Sequence, residues 1–352
     1  MRTRIVAIDP VRPEAGRIAL AAGIIKKGGL VAFPTETVYG IGANAFDPKA
    51  CLKIFRAKGR PADNPLIVHI SSIAQLRSVA VSVPRDIERV LGVLWPGPVT
   101  FVFKKSSRVA KEATAGLDSV AVRMPAHPIA LRLIEASGVP IAAPSANTSS
   151  RPSPTDARHV IHDLNGKVDM IIDGGPALFG IESTVIDATK KPYTLLRPGA
   201  FTLEELRKYI GEITAPSEHD ASRPRAPGMK YRHYAPRKRL VVVEGRSLLI
   251  KAAGIARGRK VAVLCSDELA RQLGRGATSI RLGSERNMYE ITRNLFGALR
   301  SLDRTKAEIG LIQSFPKSGI GFALMDRITR ASGSAPLSSE KALRKVLEQR
   351  SK

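Results

Sequence analysis

Four cations, Lys58, Arg60, Arg123 and Arg197, each stand where a helix or strand is expected to end. Arginine offers a fork of donors and lysine a point charge, so together they suit a polyanion such as a triphosphate. Other polar groups recur at similar places: Asn64 and Ser145-Ala146-Asn147, which could add neutral contacts, and Glu182-Ser183-Thr184, which opens a strand. The richest stretch is residues 34–42, Pro34-Thr35-Glu36-Thr37-Val38-Tyr39-Gly40-Ile41-Gly42, directly after the apolar Leu30-Val31-Ala32-Phe33. Pro34 cannot donate a ladder hydrogen bond, so the strand should end there. Small ligands bind just outside such strand ends in α/β proteins. Each feature also has an ordinary reading. Residues 34–42 would serve as a strand-to-helix turn, a cation after a helix is commonly solvated, and Ser-x-Asn is commonly a turn.

Several other chemistries find no support. The Gly-x-x-x-x-Gly-Lys-Ser/Thr pattern of a P-loop is missing, and no nucleophile–base pair stands out. His69 ends a strand, where it would either touch a ligand or sit hydrogen-bonded and half-buried. His159 and His162 are three apart, but no third ligand completes a metal pattern, so no protein metal site is expected. Cys51 and Cys265 lie far apart, which excludes a disulfide framework or a cysteine-built zinc site and suggests a reducing compartment. Both read as small buried hydrophobes. No apolar run reaches membrane-span length and the N-terminus lacks a signal-peptide pattern, so a cytoplasmic protein with no membrane partner is expected. The net charge of +25 would attract polyanions, or reflect no more than a solvated basic surface.

These groups need a scaffold. An amphipathic helix is expected over 13–27, closed by Gly28-Gly29, followed by a strand at 30–33. Asp47 and Pro48 read as the N-cap and first-turn proline of a helix through Ala57. Strands are expected at 66–70, 99–103, 119–123, 139–143, 168–172 and 183–187, with helices at 72–80, 84–94 and 127–137. Thr202-Leu203-Glu204-Glu205 is a capping-box pattern opening a helix to Ile210. Residues 212–239 are proline-rich and basic, and compose a linker. Its segment 227–236 carries two tyrosines and a histidine, unusual for a spacer, and is expected to fold as a lid over the first domain's mouth. Strands at 240–244, 260–264, 278–282 and 309–313 then alternate with helices at 246–257, 267–274, 285–300 and 320–331, the order of a small parallel sheet. The 352 residues thus divide into domains at 1–211 and 240–352, joined by the linker.

Taken in chain order, these motifs resemble a known family. They are residues 34–42, Lys58-Gly59-Arg60 with Asn64-Pro65-Leu66, Trp95-Pro96-Gly97-Pro98-Val99-Thr100, Val120-Ala121-Val122-Arg123-Met124-Pro125, Ser145-Ala146-Asn147, Asp173-Gly174-Gly175, Glu182-Ser183-Thr184-Val185-Ile186-Asp187 and Leu196-Arg197-Pro198-Gly199. Together they resemble the YrdC/Sua5 family of threonylcarbamoyl-AMP synthases. The linker motif Pro227-Gly228-Met229-Lys230-Tyr231-Arg232-His233-Tyr234-Ala235-Pro236 and the second α/β domain are similar to the longer, Sua5-type branch.

The resemblance implies an α/β fold: a YrdC-like twisted mixed sheet plus a smaller Rossmann-like parallel C-terminal domain. It implies synthesis of L-threonylcarbamoyl-adenylate and pyrophosphate from L-threonine, bicarbonate and ATP, with Mg2+ carried mainly by the phosphates. The product would feed modification of adenosine 37 in ANN-reading tRNAs through a downstream threonylcarbamoyltransferase complex. Carried over by position, Lys58, Arg60, Ser145 and Asn147 form the catalytic tetrad around nucleotide and phosphates. Asn64, Ser119, Ser153, Arg197 and Tyr234 are further ATP contacts, and Thr35, His69, Arg123 and Ser183 hold threonine. One departure is visible. Ser149-Ser150 stands where the family usually has Ser-Gly, which predicts a different backbone after Asn147 and bears on the place of Ser153.

Two rivals follow from the same residues. The basic charge suits a tRNA- or double-stranded-RNA-binding module without catalysis, which would show salt-sensitive affinity and no pyrophosphate release. A carbamoyl-adenylate-forming enzyme of the hydrogenase-maturation type is the other. Its cysteine-rich zinc motifs cannot be built from two cysteines.

Overall fold

A computed structural model of the chain describes residues 2–214, 233–255, 260–273 and 278–348. It forms two compact units, one of Met1–Ser149 with Ser153–Tyr231, the other of Ser150–Pro152 with Arg232–Lys352. The expected lid at 227–236 lies outside the described residues up to Arg232.

In the first unit the strands are β1 (Arg4–Ala7), β2 (Val31–Phe33), β3 (Gly40–Asn44), β4 (Ile67–His69), β5 (Ala80–Ser82), β6 (Val99–Lys105), β7 (Ser119–Arg123), β8 (Ile141–Ala142), β9 (Met170–Asp173), β10 (Thr184–Asp187), β11 (Tyr193–Arg197) and β12 (Ile213–Thr214). Among the described residues these twelve form one mixed sheet, ordered β1-β9-β2-β3-β8-β4-β7-β6-β10-β11-β12, with β5 on β6. Side chains alternate between two cores. Val31 and Phe33 join the layer of Ile18, Ile25, Leu133 and Ile134, whereas Ala32 joins that of Ile54, Phe55 and Phe101. A sheet buried on both faces explains why these strands read as continuous apolar runs. The sheet also curls. β2 and β4 are three places apart, about 14 Å in a flat sheet, yet the rings of Phe33 and His69 meet edge to face at 6.4 Å.

The strand expected at 30–33 ends at Phe33, as Pro34 requires, but the chain then makes a hairpin and not a turn into a helix. Gly40–Asn44 pairs antiparallel with β2, Phe33 opposite Gly40 and Val31 opposite Gly42. Gly42 in this strand serves close packing. A Cβ on Gly42 would lie 2.5 Å from Ile141 Cγ2. Helix Pro48–Lys58 starts as expected, with Asp47 accepting from the N–H groups of Lys49 and Ala50, and it ends at Gly59 in the left-handed region, φ 61°. Thr202 and Glu205 close the capping box before helix Leu203–Ile210.

The second unit holds β13 (Arg239–Val243), β14 (Val261–Cys265), β15 (Thr278–Arg281) and β16 (Ile309–Gln313), ordered β13-β16-β14-β15. Every pairing is parallel. Helices Arg246–Ile255, Asp267–Gln272, Met288–Arg304 and Ile320–Ser332 follow the strands. A further helix, Glu340–Glu348, was not expected; it buries Leu343 and Leu347 in the same core. Cys51 and Cys265 are buried in different units, and burial pushes both thiols up to about 12. Among the described residues no helix is long and apolar enough to cross a membrane.

Candidate active site

Lys58 is the last residue of its helix, and it is not solvated. It is 1% exposed. Its Nζ donates to the carbonyl oxygens of Ser145 and Asn147, the latter at 2.6 Å, and to Asn147 Oδ1 at 3.3 Å. The helix therefore ends by clamping the Ser-x-Asn turn. The same helix end accepts the Ser149 N–H at its Lys58 carbonyl, 2.9 Å. Arg60 Nη2 reaches the carbonyls of Asn64 and Pro65, both at 3.3 Å. Asn64 is buried, and among the described residues its Oδ1 meets no donor. A buried polar atom without a partner is costly, so this one marks a place for a ligand donor.

A second set converges on Arg123. This residue ends β7 beside His69, its register partner at the end of the parallel strand β4. Its Nη2 pairs with Glu36 Oε1 at 2.6 Å, its Nη1 donates to Thr37 Oγ1 at 2.8 Å, and its Nε donates to the Gly97 carbonyl at 3.2 Å. Thr35 Oγ1 contacts Thr37 Oγ1 at 2.9 Å and donates to the Val38 carbonyl at 2.6 Å. Residues 35–37 thus curl from the hairpin onto the strand end that carries Arg123. Burial, reinforced by the Arg123 charge, lowers His69 to about 3, so this imidazole is neutral near pH 7. Tyr39 has a scaffolding task. Its hydroxyl donates to the Gly175 carbonyl and accepts from the Gly174 N–H, and burial raises its pKa.

A third set lies at the start of β10. Ser183 Oγ contacts Thr100 Oγ1 at 2.8 Å and accepts from Arg197 Nη2 at 3.2 Å; the same nitrogen donates to the Ser183 carbonyl at 2.9 Å. Ser153 Oγ donates to Glu182 Oε1 at 2.6 Å. Gly199 makes this crossing possible: a Cβ there would lie 2.3 Å from the backbone carbonyl carbon of Ser183.

Register orders the three sets. β6 is antiparallel to β7 and parallel to β10, so Arg123, Thr100, Ser183 and Arg197 share one end of the sheet. Arg197, expected beside the nucleotide, sits on Ser183 of the expected threonine set. Ser119 opens β7, on the order of 13 Å from Arg123 along the strand, on the side of Pro65 by the β4–β7 register. Tyr234 is not brought to these residues within the first unit. It belongs to the second, 5% exposed, its ring 5.2 Å from Phe296 and under the Arg327 guanidinium. Ser150, where a different backbone was expected, has φ 67°, the left-handed region a glycine would occupy.

Sequence reasoning gave no role of their own to three polar groups here: Glu36, Glu182 and Thr100 stood only as members of their motifs. The available signal was a carboxylate inside an otherwise apolar or hydroxyl-bearing strand end, which is sustainable only when a buried cation or donor answers it.

Comparison with known proteins fits this geometry. The Sua5/YciO/YrdC family model, described as telomere recombination, matches residues 23–199. A model described as threonylcarbamoyl-AMP synthase, C-terminal domain, matches residues 201–333. The chain is 50% identical to a threonylcarbamoyl-AMP synthase of Pyrococcus abyssi over 337 residues, 92% of this chain and 96% of that protein. A Bacillus subtilis protein of the same name is 43% identical, covering 92% of this chain and 95% of its own. The crystal structure of P. abyssi Sua5 complexed with L-threonine superposes with a TM-score of 0.89 at 48% identity, covering 96% of this chain and all of that one.

Proposed function

The chain belongs to the Sua5/YrdC family of threonylcarbamoyl-AMP synthases, and from that premise we propose how its residues share the synthesis of L-threonylcarbamoyl-adenylate and pyrophosphate from L-threonine, bicarbonate and ATP. The observation that carries the assignment is a set of buried polar groups in the first unit, none more than 5% exposed: Lys58 at its helix end, Asn64 before β4, Arg123 ending β7, Ser183 before β10 and Arg197 ending β11. Such burial suits a site that works by fixed charge and alignment.

The chemistry asks for that. The amine of threonine takes up bicarbonate, losing water, to give a carbamate. A carbamate oxygen then attacks the α-phosphorus, and pyrophosphate leaves. No protein nucleophile is needed; neutralisation and in-line placement are. In this reading Arg60 and the Ser145–Asn147 turn held by Lys58 meet the phosphates. Asn64 Oδ1 accepts from the nucleoside, with Ser119 and Ser153 as further contacts. Arg123 takes the threonine carboxylate, and Thr35 and Ser183 read its hydroxyl. His69, neutral, contributes a wall and a hydrogen-bonding group without adding charge. Mg2+ enters with the nucleotide, on phosphate and water oxygens, as its hardness favours. The product is a mixed anhydride, so its consumer is an acyl transferase acting on an amine, here the N6 of adenosine 37 in tRNA. A cytoplasmic location follows from that partner.

The test is incubation with ATP, bicarbonate and each of threonine, serine and alanine, with the adenylate read by mass spectrometry. Serine should be a poor but detectable substrate, because a missing methyl costs only about 1–3 kcal/mol, whereas alanine leaves the hydroxyl-binding groups unpaired and is rejected far more strongly. Equal turnover of alanine contradicts the assignment. Folded Arg60→Ala should lose about 10²–10³ in rate; near-normal pyrophosphate release would remove Arg60 from its role.

A further inference from the structure

Thr100 stands in β6 between Arg123 on one side and Ser183 on the other, all within the first unit. Thr100 and Arg123 each lie one step beyond the Phe101–Val122 pair of the antiparallel β6–β7 register, at the same end. Across the parallel pairing with β10, Thr100 is opposite Val185, two residues past Ser183. Strand side chains alternate between faces, so Thr100 shares a face with Val102, and Ser183 with Val185. On that face Val102, Ala121 and Val185 form an apolar cluster with Ile67 and Leu196. None of these side chains can take a hydrogen bond. Thr100 Oγ1 lies 2.8 Å from Ser183 Oγ, and the two residues are 0% and 1% exposed.

A count of hydrogens gives this contact its meaning. Each hydroxyl has one hydrogen to donate and two lone pairs to accept with. Ser183 Oγ already accepts from Arg197 Nη2 at 3.2 Å. Among the described residues the only other polar contact of either side chain is the one between them. The pair therefore holds two hydrogens and uses one. The other needs an acceptor from outside the protein, since a buried donor left unmade is costly. Position decides which hydrogen is left over. Thr100 lies inside β6 with a strand on each side, where its hydrogen reaches nothing but Ser183 Oγ. Ser183 precedes β10 at the end of the sheet, beside Arg197. Thr100 is thus the donor, and Ser183 fills both lone pairs, one from Thr100 and one from Arg197. We propose that Thr100 is a positioning residue that turns Ser183 into a pure donor, whose O–H meets the side-chain oxygen of the amino-acid substrate. A substrate lacking that oxygen leaves the Ser183 hydrogen buried without an acceptor. The inference deepens the reading of Ser183 as a threonine contact and rests on it.

The experiment uses the full chain and steady-state pyrophosphate release, with L-threonine compared to L-α-aminobutyrate, which keeps the carbon skeleton and lacks the hydroxyl. ATP is varied separately. Thr100→Val keeps the shape of the side chain and deletes its donor, so the Ser183 hydrogen is no longer aimed. The ratio of kcat/KM for threonine over aminobutyrate should fall about tenfold, the order of one ordinary hydrogen bond, while KM for ATP stays within about twofold. Thr100→Ser keeps the donor and should hold the wild-type ratio. Thr100→Ala also deletes the donor, and it carries the test should Thr100→Val fail to fold. Ser183→Ala should lower the ratio at least as far, and adding Thr100→Val to it should change nothing more, because Thr100 acts through Ser183. An unchanged ratio in the Val or Ala variant overturns the proposal. So does an equal rise in KM for threonine and for ATP, a Thr100→Ser variant that behaves like Thr100→Val, or additivity in the double variant. Ser183→Ala also separates the two levels. If it keeps the wild-type ratio, the reading of Ser183 as a threonine contact has failed, and the positioning role falls with it. If it loses selectivity while the Thr100 variants keep theirs, only the positioning role has failed.

Discussion

Arg123 Nη2 lies 2.6 Å from Glu36 Oε1, and the two side chains are 4% and 5% exposed. Glu36 Oε2 is buried and meets no hydrogen-bond donor among the described residues. The arrangement neutralises the guanidinium inside the sheet and leaves it close to a carboxylate that a substrate carboxylate could displace.

Removing one partner of a buried pair strands the other charge, which costs about 3–5 kcal/mol. Glu36→Ala should therefore lose that order of stability in urea denaturation, and Glu36→Gln, which retains an acceptor, should lose less. L-threonine should raise the Tm of Glu36→Gln by more than it raises that of the wild type, because the substrate carboxylate then relieves an unneutralised Arg123. An equal or smaller shift would separate Arg123 from the threonine site.

Lys58 supports the turn that bears Ser145 and Asn147 through three acceptors. Lys58→Met deletes the donor while retaining most of the buried stem. Each buried acceptor left unmade costs about 1–3 kcal/mol, and activity should fall by about 10²–10³ as the turn loosens. Lys58→Arg should not rescue it, since a planar fork cannot replace a compact ammonium. Full pyrophosphate release by Lys58→Met would show that the clamp is dispensable.

Much of the scaffold was legible in the sequence, for physical reasons that differ by residue, as were the positions of the polar groups along the chain. Asp47 and Thr202 announce their helices because capping is local chemistry. The parallel order of the second unit is visible because strand and helix periods alternate cleanly. What escaped was set by distant packing. Gly40–Asn44 is a strand because Ile141 and Phe33 crowd Gly42, and nothing within the segment says so. The clamp by Lys58 spans 87 and 89 positions of chain, and the helix-end position of that lysine suggests solvent instead. The contact of Arg197 with Ser183, 14 positions back, is likewise set by the β10–β11 register.

His69 supplies a pH dependence with a definite sign. Its folded pKa, about 3, lies below the ordinary histidine value of 6.5, chiefly through burial and then through Arg123. Between those values the unfolded chain binds the proton and the folded chain does not. Stability is thus fully present above pH 6.5 and is lost as pH falls toward 3, with a slope from this one group of about 1.4 kcal/mol per pH unit. His69→Gln should flatten that part of the stability–pH curve. An unchanged slope in the variant would mean that other groups set it.

Ser150 offers the opposite kind of test, a gain. Its φ of 67° puts a Cβ-bearing residue in the left-handed region, which favours glycine. That conformation costs about 1–2 kcal/mol for an ordinary L-residue. Glycine removes the strain but gives up about 0.5–1 kcal/mol through its freer unfolded chain. Ser150→Gly should therefore stabilise the protein by about 0.5–1 kcal/mol, seen as a higher urea midpoint at an unchanged slope. Ser150→Ala should bring no gain, because it keeps the Cβ, and Ser150→Val should cost stability, since β-branching makes this region worse. Activity should be retained in the glycine variant, as the backbone it favours is the one the serine already adopts. A Ser150→Gly protein no more stable than Ser150→Ala would mean that the left-handed backbone angle costs nothing at this position.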